Sequence, residues 1–189
     1  MQKHRHFIVH KPYGYLSQFI NNQTKRKKKL LGELFHFPKG TMAIGRLDVN
    51  SEGLLLLTTD GKVSEYIRSR KVEKEYYVQV DGLITRAAIL TLTKGIEISI
   101  EGKKYTTKPC KAQIIAAPNF PNRTQKIRDE RHGPTSWISI TITEGKFRQV
   151  RKMTAAVHHP TLRLIRVRIG KILLKDLAVG TVKEVQQLS

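Results

Sequence analysis

Short apolar runs, none longer than four residues, are scattered along this chain and predict more strands than helices. Leu54–Leu57 is four leucines without interruption, followed by Thr58 and the Asp60-Gly61 turn. A run so short and so unbroken reads as a strand buried on both faces. Phe7-Ile8-Val9-His10 predicts a strand stopped by Pro12, and Tyr76–Val80, β-branched and aromatic, predicts another. Ile96–Ile100 and Tyr105–Ala116 read as strands on either side of a Glu101-Gly102 turn, and Leu162–Ile169 as a late strand. Trp137–Thr143 alternates apolar with polar positions and predicts a strand. Helices are expected over Lys27–Phe35 with Thr24 as cap, over Lys62–Ser69, over Thr85–Lys94 between a Thr85 cap and Gly95, and over residues 146–157. Residues 118–135, rich in Pro, Asn and charge, read as an inserted loop. Irregular alternation with hairpin-like pairs predicts an α+β fold built on a mixed, mainly antiparallel sheet.

Charge changes the picture. The chain has 189 residues, with 35 Lys+Arg against 15 Asp+Glu, for a net charge of +20. Residues 1–39 hold nine bases and one acid, and residues 144–171 hold eight and one. Two basic tracts around a nearly balanced middle suit a polyphosphate backbone. An anionic membrane surface fits less well, because no segment joins such charge to a large apolar face. Within residues 146–157, Val150, Met153 and Val157 make one apolar stripe, leaving Arg148, Arg151 and Lys152 to project together from the other face. Lys27, Lys28 and Lys29 close a basic loop and are expected to grip phosphates away from the catalytic centre.

Other features narrow the class. No apolar run approaches a membrane span, and the amino-terminal residues lack the apolar stretch of a signal peptide. The single cysteine, Cys110, allows no internal disulfide and no Cys-rich zinc site, which points to the reducing cytoplasm. His4/His6 and His158/His159 lack an accompanying carboxylate set, so no metal is expected. A metal-dependent nuclease would need more clustered carboxylates than Asp48 and Glu52.

Residues 45–61 carry the chemistry. They place Asp48 behind Arg46 and just ahead of the leucine run, where a loop meets a rigid strand. The stretch Gly-Arg-Leu-Asp-Val-Asn-Ser-Glu-Gly-Leu-Leu-Leu-Leu-Thr-Thr-Asp-Gly resembles, almost letter for letter, the signature of the RsuA-type pseudouridine synthases. Glu144-Gly145-Lys146-Phe147-Arg148-Gln149-Val150-Arg151-Lys152-Met153, Lys74-Glu75-Tyr76 and Lys11-Pro12-Tyr13-Gly14 are similar to three further motifs of that family.

The resemblance implies a pseudouridine synthase fold in two lobes, 1–49 plus 160–189 and 50–159, with a central cleft. It implies one catalytic domain without the S4 RNA-binding domain of many relatives, since only ten residues precede Lys11. Asp48 would be the catalytic residue, Arg151 its ion-pair partner and Tyr76 the ring against a flipped uracil. A nearby cation favours the ionised form of a carboxyl that burial would otherwise protonate. Arg46 would fill the vacated stack or hold a phosphate, with Lys74, Arg148 and Lys152 also on RNA, and the Lys-Pro segment would only shape a turn. The expected activity is conversion of uridine to pseudouridine in large-subunit ribosomal RNA, by a monomer, without cofactor or metal. A non-catalytic ribosomal-RNA-binding or assembly protein fits the charge equally well, but not the motifs. His158 stands where glycine commonly follows the Ala-Val pair, which predicts an altered helix exit.

Overall fold

A computed structural model of the chain describes residues 3–20, 28–69 and 72–188. The chain divides into two compact units, Met1–Val72 with Ile165–Ser189, and Glu73–Leu164.

In the first unit, β1 (His6–Lys11) runs antiparallel to β3 (Glu52–Thr58), and β2 (Met42–Ile44) also pairs with β3. β9 (Thr161–Ile169), which crosses the division, lies parallel to β3 through Glu52↔Ile165 and Gly53↔Arg166. The short β10 (Ile172–Leu173) folds back on β9, and β11 (Val182–Val185) pairs with the outer side of β1. As the leucine run predicts, every residue of β3 is buried. Each buried leucine contributes about 1.5–3 kcal/mol relative to exposure. Leu55 and Leu57 form a core with Phe7, Val9 and Leu31, against which Phe19, Leu34, Phe37, Ala43 and Val182 pack. Helix α1 (Gly61–Arg68) starts where the Asp60 carboxylate accepts from the Lys62 and Val63 amides.

The expected lobe boundaries differ from this division: residues 50–72 group with the first unit, where six consecutive β1–β3 partners run from His6↔Thr58 to Lys11↔Gly53, and residues 160–164 group with the second.

In the second unit, β8 (Thr135–Ile142) lies between β4 (Lys74–Asp81) and β7 (Lys111–Ile115), all antiparallel. Tyr76, Val78 and Val80 alternate into the interior with half-buried residues between them. β5 (Glu97–Ile100) and β6 (Lys103–Thr106) form a separate hairpin. Helix α2 (Arg86–Lys94) begins at Thr85, whose hydroxyl accepts from the Ala88 amide at 3.1 Å. Helix α3 spans Gln149–Ala156. The fold is α+β with a mixed, mainly antiparallel sheet, as expected.

Three local expectations need correction. Among the described residues of 27–35 there is only a 3-10 turn, Leu31–Glu33, and Thr24 and Lys27 lie outside the described residues. Leu30 is extended there, its amide donating to the Glu33 carboxylate at 2.7 Å, and Leu31 is drawn into the core. The strand expected over Tyr105–Ala116 is two strands, because Pro109 supplies no amide hydrogen and the Cys110 amide turns to the Thr93 carbonyl. His158 adopts φ +63° and so preserves the left-handed exit that a glycine would give, rather than altering it.

Candidate active site

The loop between β2 and β3 presents Asp48, and its neighbours are fastened on both sides. The Leu47 amide donates to Ser17 Oγ at 3.0 Å, and that hydroxyl donates to the Leu47 carbonyl at 2.9 Å. On the other side the Gly14 amide donates to the Val49 carbonyl at 2.8 Å, and the Ser51 amide to the Asp48 carbonyl at 3.0 Å. Gly14 holds φ +85°, which explains a glycine at the end of the Lys-Pro segment. Asp48 is therefore a half-buried carboxylate on a pinned loop, while Arg46 two residues earlier is exposed.

Lys11, Glu52 and Arg166 form a buried charged cluster coupled electrostatically to Asp48, and the sequence alone does not assign it to chemistry. Lys11, at the end of β1, is inaccessible to solvent, and Glu52 and Arg166 are 2% and 4% exposed. Lys11, Gly53 and Arg166 occupy register-matched positions on three adjacent strands. Burial pushes the Lys11 ammonium down from 10.5 to about 7, opposed by the Glu52 and Asp48 carboxylates and reinforced by Arg166. The Lys11 amine donates to the Pro12 carbonyl at 2.8 Å, and Arg166 Nε to the Leu54 carbonyl at 2.7 Å. The signal was present as a lysine directly continuing an apolar strand, but its burial depends on β3 and β9.

Gly53 is where this cluster is tightest. It holds φ +103°, and a Cβ there would meet the Arg166 backbone, with Arg166 N at 2.7 Å and Ile165 Cγ2 at 2.9 Å. Only glycine lets β3 approach β9 at this point.

The remaining predicted residues belong to the second unit. Tyr76 is 9% exposed on β4, opposite Ile140 of β8. Lys74 opens the same strand and is half-buried opposite Ile142. The loop before α3 is built on Glu144, 5% exposed, whose carboxylate accepts from the Tyr105 hydroxyl, the Lys108 amide at 2.7 Å and Gln149 Nε2 at 2.6 Å. Two basic residues here depart from expectation. Arg148 is not on the helix but caps it in a left-handed conformation, φ +51°. Lys152 folds back onto β5, its amine donating to the Ser99 carbonyl at 2.6 Å. Arg148, Arg151 and Lys152 therefore do not form one cationic helix face. Val150 and Met153 are buried as the apolar stripe requires, while Val157 is the half-buried helix cap.

Two of the bases counted in the carboxy-terminal tract are also withdrawn from the surface. Arg163 is 5% exposed with Nη2 donating to the Pro121 carbonyl at 2.9 Å, and Arg166 belongs to the Lys11 cluster. In the amino-terminal tract, Lys28 and Lys29 are described, with the Lys29 amine 5.4 Å from the Tyr15 ring centroid.

Cys110 donates to the Leu92 carbonyl at 3.2 Å, and burial pushes its thiol up to about 11, so it stays protonated at neutral pH. Among the described residues no three His, Cys, Asp or Glu side chains group as a metal site, and no helix is long and apolar enough to cross a membrane.

A carboxylate on a pinned loop, a strongly basic chain and a mixed α+β fold suit an enzyme that acts on RNA. The model of the RNA pseudouridylate synthase family matches residues 5–156, and the chain belongs to that family. It is 40% identical over 188 residues to ribosomal large subunit pseudouridine synthase E of Vibrio parahaemolyticus, covering 98% of this chain and 76% of the relative. It is also 40% identical to the synthase E of Xanthomonas axonopodis pv. citri, over 90% of this chain and 88% of that one. A crystal structure of a pseudouridylate synthase matches with a TM-score of 0.76 at 26% identity, covering 98% of this chain and 71% of the other.

Proposed function

We propose that this protein converts a uridine of large-subunit ribosomal RNA to pseudouridine, with Asp48 as the group that attacks or deprotonates the flipped nucleotide. The observation that carries the reading is the setting of Asp48: a family signature on a pinned loop, within electrostatic reach of the buried Lys11. The names of the similar synthases support the RNA class. A fastened carboxylate is what a reaction with a narrow approach geometry requires.

The reaction is an isomerisation. The N1–C1′ bond breaks, the base rotates, and C5 bonds to C1′ while its proton moves to solvent and N1 takes one up. A base stacked in folded RNA must first leave its stack, at a cost of a few kcal/mol. Exposed Arg46, two residues from Asp48, is suited to take the vacated place or to hold the adjacent phosphate. Tyr76 is assigned to the uracil ring and Arg151 to charge compensation of Asp48, both on the strength of their motifs. Lys28, Lys29, Lys74 and Arg148 are assigned to RNA phosphates, and the protein acts as a single chain.

The test is incubation with unmodified ribosomal RNA followed by carbodiimide-dependent primer-stop mapping. The wild-type protein should create a new stop at a uridine. Asp48→Asn should bind the RNA with unchanged affinity and leave the stop at background. A wild type that binds without creating a stop, or an Asp48→Asn variant with more than trace activity, would overturn the proposal.

A further inference from the structure

Phe147 is 63% exposed, whereas Phe7 is fully buried in the core of the first unit. Its exposure is built in. The turn that carries it is closed by the Gln149 amide donating to the Lys146 carbonyl at 3.1 Å, and by the Lys146 amide donating to Gln149 Oε1 at 3.1 Å. Gln149, 3% exposed, is in turn fastened to the buried Glu144. Arg148, next to Phe147, is held at φ +51°, a conformation that a non-glycine residue adopts only when its surroundings impose it. A fastened turn thus presents an aromatic ring to solvent.

One cation stands against the ring, and two more flank it along the chain. The Lys152 ammonium stands 5.3 Å from the Phe147 centroid, and its bond to the Ser99 carbonyl holds it there independently of the ring. Lys146 lies 4.8 Å from the Tyr105 centroid on one side of the turn, and exposed Arg148 follows on the other. The acid of this loop, Glu144, is buried and committed to internal hydrogen bonds. An exposed aromatic ring among cations, on a rigid turn, matches a nucleobase with its flanking phosphates. An apolar protein partner would require neighbouring apolar side chains, and the residues beside Phe147 are Lys146 and Arg148.

We propose that Phe147 is a stacking platform for an unpaired base of the RNA substrate, with Lys146, Arg148 and Lys152 around it receiving the adjacent phosphates. The inference rests on the RNA-modifying reading and deepens it by naming a single-stranded nucleotide outside the Asp48 loop as part of what is recognised.

The test measures anisotropy of two labelled probes, a single-stranded twelve-nucleotide uridine RNA and an RNA duplex of equal length, over a salt series with the full-length protein. Phe147→Ala and Phe147→Leu should each weaken single-strand binding about 5- to 150-fold. The slope of log affinity against log salt should stay the same, because no phosphate contact is removed. Phe147→Trp should restore affinity and show indole quenching on the single strand, and duplex binding should be equal in all variants. Full affinity in Phe147→Leu would mean that the ring merely packs, and a flattened salt slope would mean that the substitution disturbs phosphate contacts; either overturns the platform. Thermal melting of each variant excludes unfolding as the cause of weak binding. A wild type that forms no pseudouridine while the ring dependence holds would defeat the functional reading and leave the platform standing. Wild-type activity with ring-independent binding would do the reverse.

Discussion

Replacing Lys11 with methionine should change how the protein's stability depends on pH, and the sign follows from its burial. Free lysine titrates at 10.5, and in the folded chain burial brings Lys11 to about 7 despite the Glu52 and Asp48 carboxylates. Between these values the unfolded chain holds a proton that the folded chain has released, so raising the pH favours the folded state. The stabilisation begins as pH rises through about 7 and is complete near 10.5. The full gap corresponds to about 5 kcal/mol at ~1.36 kcal/mol per pH unit, and the portion between pH 7 and 9 to about 2 kcal/mol. With a urea slope of about 2 kcal/mol per molar, the wild-type midpoint should rise by about 1 M across that interval. Lys11→Met lacks the titrating amine and should lose this rise. Cys110 acts in the opposite sense, its thiol moving from 9.0 to about 11, so it removes stability only near and above pH 9 and is common to both proteins. Urea unfolding of wild type and variant at pH 7, 8 and 9, followed by circular dichroism, measures the difference. Parallel pH dependences would refute the buried, readily deprotonated Lys11.

Three further outcomes are expected. Arg151→Met should lower single-turnover rate at least ten-fold while RNA affinity changes less than three-fold, about 1.4 kcal/mol against under 0.7; weaker binding with normal turnover would make Arg151 a phosphate contact. Gly53→Ala should cost more than about 4 kcal/mol or prevent folding, since its Cβ has no room against the Arg166 backbone and φ is +103°; an unchanged melting temperature would contradict the packing of β3 on β9. Replacing Lys27, Lys28 and Lys29 together with serine should flatten the salt dependence of RNA binding by about 2–3 units of slope with saturating turnover unchanged, and an unaltered slope would remove these lysines from the interface.

Much of the architecture was legible because it is encoded locally. Leu54–Leu57 can satisfy its apolar side chains only by burial on both faces, and β3 is buried throughout. The alternation in residues 137–143 marks β8, and Thr85 and Gly95 mark the two ends of α2. That Asp48 stands on a loop just before a buried strand was also legible, because the leucine run that follows it is local.

What depended on partners was not legible. Met42–Ile44, only three residues long, becomes a strand because β3 supplies hydrogen-bond partners, and Val182–Val185 because β1 does. Leu31 leaves its predicted helix because a core formed by Phe7, Val9, Leu55 and Leu57 accepts it. Arg163 and Arg166 read as surface cations by composition, yet Arg166 is enclosed because β9 lies against β3 at Gly53. Lys11 shows the distinction most clearly. Its sequence neighbours determine that it ends a strand, but whether its ammonium is hydrated or buried is decided by β3, β9 and the Asp48 loop, all distant in sequence. Backbone propensity and hydrophobic period act over a few residues and can be read from the chain. The dielectric surroundings of a charge are set by whatever folds next to it, and these only the tertiary structure determined.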